Sequence, residues 1–211
     1  MTTEALLTLT QWFSPSYPVG AFAYSHGLET VIQDGTIKTA ADVEDWLKDV
    51  LQNGTGRNDC VLIRAAYDTD DITHVDATAR AFAASAERIA EAETQGIAFA
   101  QTTAAIWDSD ATPLLYPVAV GHAAKQQNLP VDLTATLYLQ SFLSNLVSAA
   151  IRAIPLGQTE GQAVLTRLTK LCPQIVAETA KLTIDDLSST TFLSDIAAMR
   201  HETLHTRIFR S

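Results

Sequence analysis

A run of 19 residues without a charge, Leu133 to Ile151, constrains the fold of this chain more than any other stretch. Within and just beyond it, Leu139, Phe142, Leu143, Leu146, Val147 and Ile154 form an apolar stripe at helical spacing. Ser141, Ser144 and Ser148 form a second face of small side chains, against which another helix can approach closely. A membrane span is the competing reading. It is disfavoured by Thr134, Thr136, Gln140, Ser141, Ser144, Asn145 and Ser148, whose polar groups are costly in lipid. The run therefore reads as the buried central helix of a globular protein, capped by Asp132 and ending before Pro155-Leu156-Gly157.

Helical spacing continues through most of the sequence. Thr39 and Asp42 introduce a helix with Val43, Trp46, Leu47, Val50 and Leu51 on one side, ended by Gly54 and Gly56. A second helix is predicted from Asn58 to Asp68. The alanine-rich stretch from Asp71 to Asp108 holds two more. The later of these enters at Ser85 and turns Ile89, Ala92, Phe99 and Ile106 inward. Leu114 to Gln127 follows as a helix after Pro113, and another begins near Thr159 and must kink or break at Pro173. No alternating strand pattern, internal repeat or low-complexity linker is visible. The expected fold is all-α: one compact domain over residues 1–199, of roughly eight to ten helices around a buried central one. A flexible basic tail, residues 200–211, is expected to follow it.

At 211 residues the chain can bury about 70% of its unfolded surface, so it needs neither a disulfide nor a metal to fold. Cys60 and Cys172 are isolated and form no framework, which points to a reducing, cytoplasmic setting. The first residues lack the basic and apolar blocks of a signal peptide. A net charge of −10 disfavours nucleic-acid binding. The acidity is uneven: from Arg200 onward three arginines face one glutamate, against 11 basic and 23 acidic residues before it. Such a basic end on an acidic body reads as a solvated tail or as a docking element.

Two segments carry candidate chemistry. His201-Glu202-Thr203-Leu204-His205 matches the HExxH pattern, in which two histidines one helical turn apart bind zinc and the glutamate activates water. The context is poor, because only six residues follow and none is His, Asp or Glu. An upstream third ligand, His26, His74 or His122, stays open. Ser25 beside His26 is a weak nucleophile pair, since neighbours on a helix point about 100° apart. No phosphate loop, dinucleotide fingerprint, nucleophile elbow or Cys/His metal spacing occurs.

The other segment, Ser14 to Glu29, has a different logic. Pro15 and Pro18 stiffen the backbone, Gly20 permits a positive φ, and Tyr17, Phe22 and Tyr24 concentrate aromatic rings. Rigid backbone bearing aromatic anchors suits a protein-interaction hot spot, and equally an entry loop that closes the core.

With both ends read, the chain resembles the UreF family of urease accessory proteins. The likeness rests on Ser14-Pro15 through Pro18-Val19-Gly20, Phe22, Tyr24-Ser25 and Gly27-Leu28-Glu29. It continues through Tyr138 to Arg152 and Ile154 to Thr159. It ends with Asp195-Ile196, Met199 to Thr203 and Arg207 to Ser211. Ile208 stands where leucine is commoner and His26 where glutamine is common. The resemblance implies a non-enzymatic, cofactor-free homodimer that joins the scaffold UreD (UreH) to the GTPase UreG and serves nickel delivery to apo-urease. It assigns Pro18, Val19, Gly20, Phe22, Tyr24 and Glu29 to the GTPase side, with a structural role favoured for Glu29. It assigns Arg200, His201, Glu202, Arg207, Phe209 and Arg210 to the UreD side, with no catalytic or metal-binding residue.

Overall fold

The computed structural model describes residues 2–211, and among them every regular element is helical. In chain order the helices are α1 (Thr3–Trp12), α2 (Leu28–Gln33), α3 (Ala40–Asn53), α4 (Thr55–Asp68), α5 (Ile72–Ala81) and α6 (Ala86–Trp107). They continue with α7 (Tyr116–Gln126), α8 (Val131–Ala153), α9 (Gln158–Thr169), α10 (Cys172–Glu178) and α11 (Phe192–His201). Nine of them span ten residues or more, α2 and α10 being shorter. Single 3-10 turns occupy Ala21–Ala23 and Ile184–Asp186.

The uncharged run forms α8, and it lies at the centre. Helices α2, α3, α4, α7, α9 and α10 all pack on it, and Leu139, Leu143, Leu146 and Val147 are shut off from solvent. Burying an aliphatic side chain of this size contributes about 1.5–3 kcal/mol. In one close layer α4 lies on α7, where Gly121 faces the Ile63 carbonyl. A Cβ added to Gly121 would stand 2.2 Å from that oxygen, so only glycine lets the two backbones meet.

Local signals place several boundaries. The Thr39 hydroxyl accepts from the Asp42 amide, and the Asp42 carboxylate accepts from the Thr39 amide, closing a capping box on α3. Ser85 caps α6 through the Arg88 amide. Pro173 sits in the first turn of α10 and separates it from α9, where the missing N–H costs nothing.

Other expectations need correction. Gly54 alone ends α3, while Gly56 lies within the first turn of α4, pressed on the Leu51 backbone. Asp132 does not cap α8. The cap position is Pro130, and Asp132 sits in the first turn paired with Arg64 of α4. Ile106 is 54% exposed, because the inward side of α6 carries Glu91, Gln95 and Thr103 beside Phe99. The expected tail lies against the body. Residues beyond α11 have no helix but fold back on the body, leaving Phe209 only 3% exposed and Ser211 buried.

Candidate functional site

The two ends of the sequence meet. After α1 the segment Phe13 to Gly27 crosses the molecule in turns, with Tyr17 buried and its hydroxyl 2.7 Å from that of Thr103 on α6. Burial raises the Tyr17 pKa, and the Thr103 contact opposes it. Gly20 takes φ +73° at the start of the 3-10 turn, which carries Phe22 out to 69% exposure. Gly27, at φ +75°, is where α11 crosses: a Cβ there would lie 2.6 Å from the Ala198 nitrogen. Positive φ and contact with backbone together restrict this position to glycine.

Onto this segment the last residues dock through main-chain hydrogen bonds. Arg210 N–H donates to the Ala23 carbonyl at 2.8 Å, and Ser25 N–H to the Ser211 carbonyl at 2.8 Å. The Ser25 hydroxyl donates to the same Ser211 oxygen. Glu29, on the first turn of α2 and 2% exposed, is the keystone. One carboxylate oxygen accepts from Ile208 N–H at 2.7 Å and the other from Phe209 N–H at 2.9 Å. The Gln33 amide donates to Glu29 at 3.2 Å and to the Thr206 carbonyl at 2.8 Å. Arg152 of α8 covers the Phe209 ring at 4.5 Å and donates to the Phe22 carbonyl at 2.7 Å, so it touches loop and tail at once.

Beneath the tail lies a cluster of ionisable groups. His201 is fully buried, with Nδ1 2.7 Å from Glu87 and Nε2 3.2 Å from Glu29. Arg207 reaches the other oxygen of Glu87 at 2.5 Å. Deeper, Glu91 pairs with Arg88, accepts from the Ser211 hydroxyl at 2.6 Å and lies 2.8 Å from His26 Nε2. Burial pushes the Glu91 carboxyl up, but Arg88, His26 and the Ser211 hydroxyl outweigh it, and the group stays ionised far below the usual range. Burial and the nearby Arg88 lower the pKa of His26, against the opposing pull of Glu91.

This cluster borders a cavity of about 750 Å³ under the N-terminal loop. The small polar face of α8, Ser141, Ser144 and Ser148, lines it along with Gln140 and Asn145, so no helix packs there. Asp59 lies on the wall with its carboxylate accepting from Tyr138 at 2.7 Å. Burial raises the Asp59 pKa to about 6, against the Tyr138 hydrogen bond.

The zinc reading of HETLH does not survive this geometry. Helix α11 ends at His201, so His205 is not presented one helical turn further on. Both ring nitrogens of His201 face carboxylates. Glu202 accepts from Ala86 N–H at 2.8 Å, which ties the turn after α11 to the start of α6. Among the described residues no group of three His, Cys, Asp or Glu side chains is arranged to hold a metal ion.

Comparison with known proteins assigns this architecture to a family. The UreF family model matches residues 37–169. A Urease accessory protein UreF from Roseobacter denitrificans is 52% identical, the match covering 100% of this chain and 96% of the relative. The chain belongs to the UreF family. The protein of the same name from Ruegeria pomeroyi is 50% identical over 100% of this chain and 98% of the relative. That from Jannaschia sp. is 44% identical over 99% and 96%. The family match covers α3 to α9, and the relatives extend it across both end segments.

The residues singled out in the sequence divide by exposure. Pro18 and Phe22 face solvent, Gly20 is half-buried, and Val19 and Tyr24 point inward. Glu29 is structural, holding the tail. Arg200, Glu202, Arg207 and Arg210 are outward, whereas His201 and Phe209 are not accessible in the docked arrangement. One feature went unread: Phe192, Leu193, Ile196 and Met199 form an exposed apolar row on one face of α11. Their spacing of one, four and seven residues was visible in the sequence. Alone it reads as core, because exposure is a property of the folded chain. Among the described residues no helix is long and apolar enough to cross a membrane.

Proposed function

We propose that this chain is a urease maturation chaperone without catalytic chemistry of its own. It bridges the UreD (UreH) scaffold and the UreG GTPase and regulates GTP-dependent nickel insertion into apo-urease, as a homodimer in the cytoplasm. The observation that carries this reading is the full-length similarity to urease accessory proteins, 52% identity with both end segments included. The surface is consistent with a bridging role. Phe22 projects from a turn braced by Arg152, a rigid aromatic anchor of the kind that dominates interfaces. The apolar row of α11 runs into the tail, and an exposed apolar face of that kind marks an interaction site. In this reading the GTPase meets Phe22 and its loop. The scaffold meets α11 and the outward arginines of residues 200–211.

The experiment is co-purification with UreD and UreG together with urease activation in cells. Phe22→Ala is expected to lose UreG while retaining UreD, and Ile196→Asp to lose UreD. Deleting Arg207 to Ser211 is expected to abolish activation. Normal activation by all three variants would sink the proposal.

A further inference from the structure

The acidic side chains beneath the tail outnumber the arginines that reach them. Three side-chain carboxylates, Glu29, Glu87 and Glu91, stand in or beside the cluster. Two guanidiniums reach them: Arg88 pairs with Glu91 and Arg207 with Glu87. Glu29 is met by no arginine or lysine among the described residues, although it is almost wholly buried. A carboxylate removed from water in this way requires a compensating charge or its full set of hydrogen bonds. Its only neighbouring side chain able to carry a positive charge is His201.

The His201 ring has its own requirement. Nδ1 and Nε2 each face a carboxylate oxygen, from α6 on one side and α2 on the other. Neutral imidazole has one N–H and one lone pair, so one of these contacts would set a lone pair against a carboxylate. Only the imidazolium form donates to both. Its surroundings are otherwise complete: Glu29 and Gln33 from α2, Glu87 from α6 and Arg207 from the tail, with Arg88, Glu91 and His26 behind. At the rim, Arg200 pairs with Asp34, which follows α2.

We infer that residues 202–211 are held by a pH-sensitive latch in which His201, as imidazolium, cross-links Glu29 to Glu87. Loss of its proton leaves Glu29 without a counter-charge and loosens the grip of that carboxylate on the Ile208 and Phe209 amides. The linkage has a definite sign. The docked arrangement contains the charged ring, so docking is firm at low pH within the histidine range and weakens as pH rises through the latch transition. The latch belongs to the chain alone and stands or falls independently of which partners it serves.

The test is amide hydrogen exchange of the full chain from about pH 5 to about pH 8, corrected for the intrinsic exchange rate. Protection of the Ile208 and Phe209 amides is expected to fall at least about tenfold across that range, because a charge-assisted hydrogen bond is lost. Amides in α8 should not change. Glu87→Gln removes one of the two charges facing the ring and is expected to move the transition to lower pH. His26→Gln should leave it in place, and His201→Gln should abolish it. A flat profile in the unaltered chain overturns the latch, and so does the same transition persisting in His201→Gln. If His201→Gln leaves the tail unprotected at every pH, Glu87→Gln decides: an unmoved transition rules the latch out.

Discussion

The layer where α4, α7 and α8 meet and the junction where the tail meets the N-terminal loop are both buried, yet opposite kinds of interaction hold them. The first is apolar and close-packed, with Gly121 set against the Ile63 carbonyl and the leucines of α8 filling the centre. The second is made of backbone hydrogen bonds gathered by one carboxylate, ion pairs and two buried histidines. Dispersion and area burial are insensitive to pH and depend on shape. Buried ion pairs and hydrogen bonds fail when a single partner is lost. One region is therefore suited to persist, and the other to open without unfolding the first.

The strongest challenge to that contrast is Gly121→Val. A β-branched side chain would have to push α7 off the α4 backbone, at a cost of about 3 kcal/mol or more to global stability. Urea unfolding followed by circular dichroism measures this, and an unchanged midpoint would show that the layer is looser than its geometry states. A smaller and more local effect is expected of Glu29→Ala. It strips the acceptor from the Ile208 and Phe209 amides, costing about 2 kcal/mol, which peels the tail before the body responds. Trypsin should then cut at Arg207 while the main unfolding transition stays cooperative and nearly in place. If that transition instead drops as far as in Gly121→Val, the junction belongs to the core.

The third change reverses the sign. Asp59 has a pKa of about 6 in the folded chain, above that of an exposed aspartate, because burial penalises its charge. The unfolded chain releases this proton first, so the group erodes stability as pH rises from about 4 to about 6, and the loss stays constant beyond. Asp59→Asn keeps an acceptor for Tyr138 and removes the charge. It should stabilise the protein by about 3 kcal/mol at pH near 7.5 and hardly at all near pH 4. Thermal melts at the two pH values check this, and an equal effect at both would mean that folding does not raise the Asp59 pKa.

The same contrast explains what the sequence made readable. Features encoded over a few residues were plain: the Thr39–Asp42 capping box, Ser85 as a cap, Pro173 as a break and the stripe of α8. The errors lie where tertiary surroundings override periodicity. Ile106 has the right spacing for the core, but α6 turns Glu91, Gln95 and Thr103 inward beside Phe99 instead, and Glu91 and Gln95 line the cavity. The serine face of α8 borders that same space. At the candidate site the important residue types were visible, since Glu29, Arg207, Phe209 and the glycines all stood out. Their pairing was not, because nothing local links residue 29 to residue 208. HETLH could be discounted in the sequence only by its context, for the same reason. A five-residue pattern cannot show that its first histidine is already enclosed by carboxylates from two distant helices.

Ser211 is buried, with its hydroxyl on Glu91 and its carbonyl on Ser25, while Thr2 at the other end is open to solvent. Any chain that continues past Ser211 must leave from inside the junction. A purification tag or fluorescent fusion placed there would act as a wedge, prying residues 208–211 from Glu29, whereas the same fusion before Thr2 would leave the junction closed. Reporter placement thus becomes a perturbation in its own right, and a fusion at the wrong end would imitate the loss of the tail.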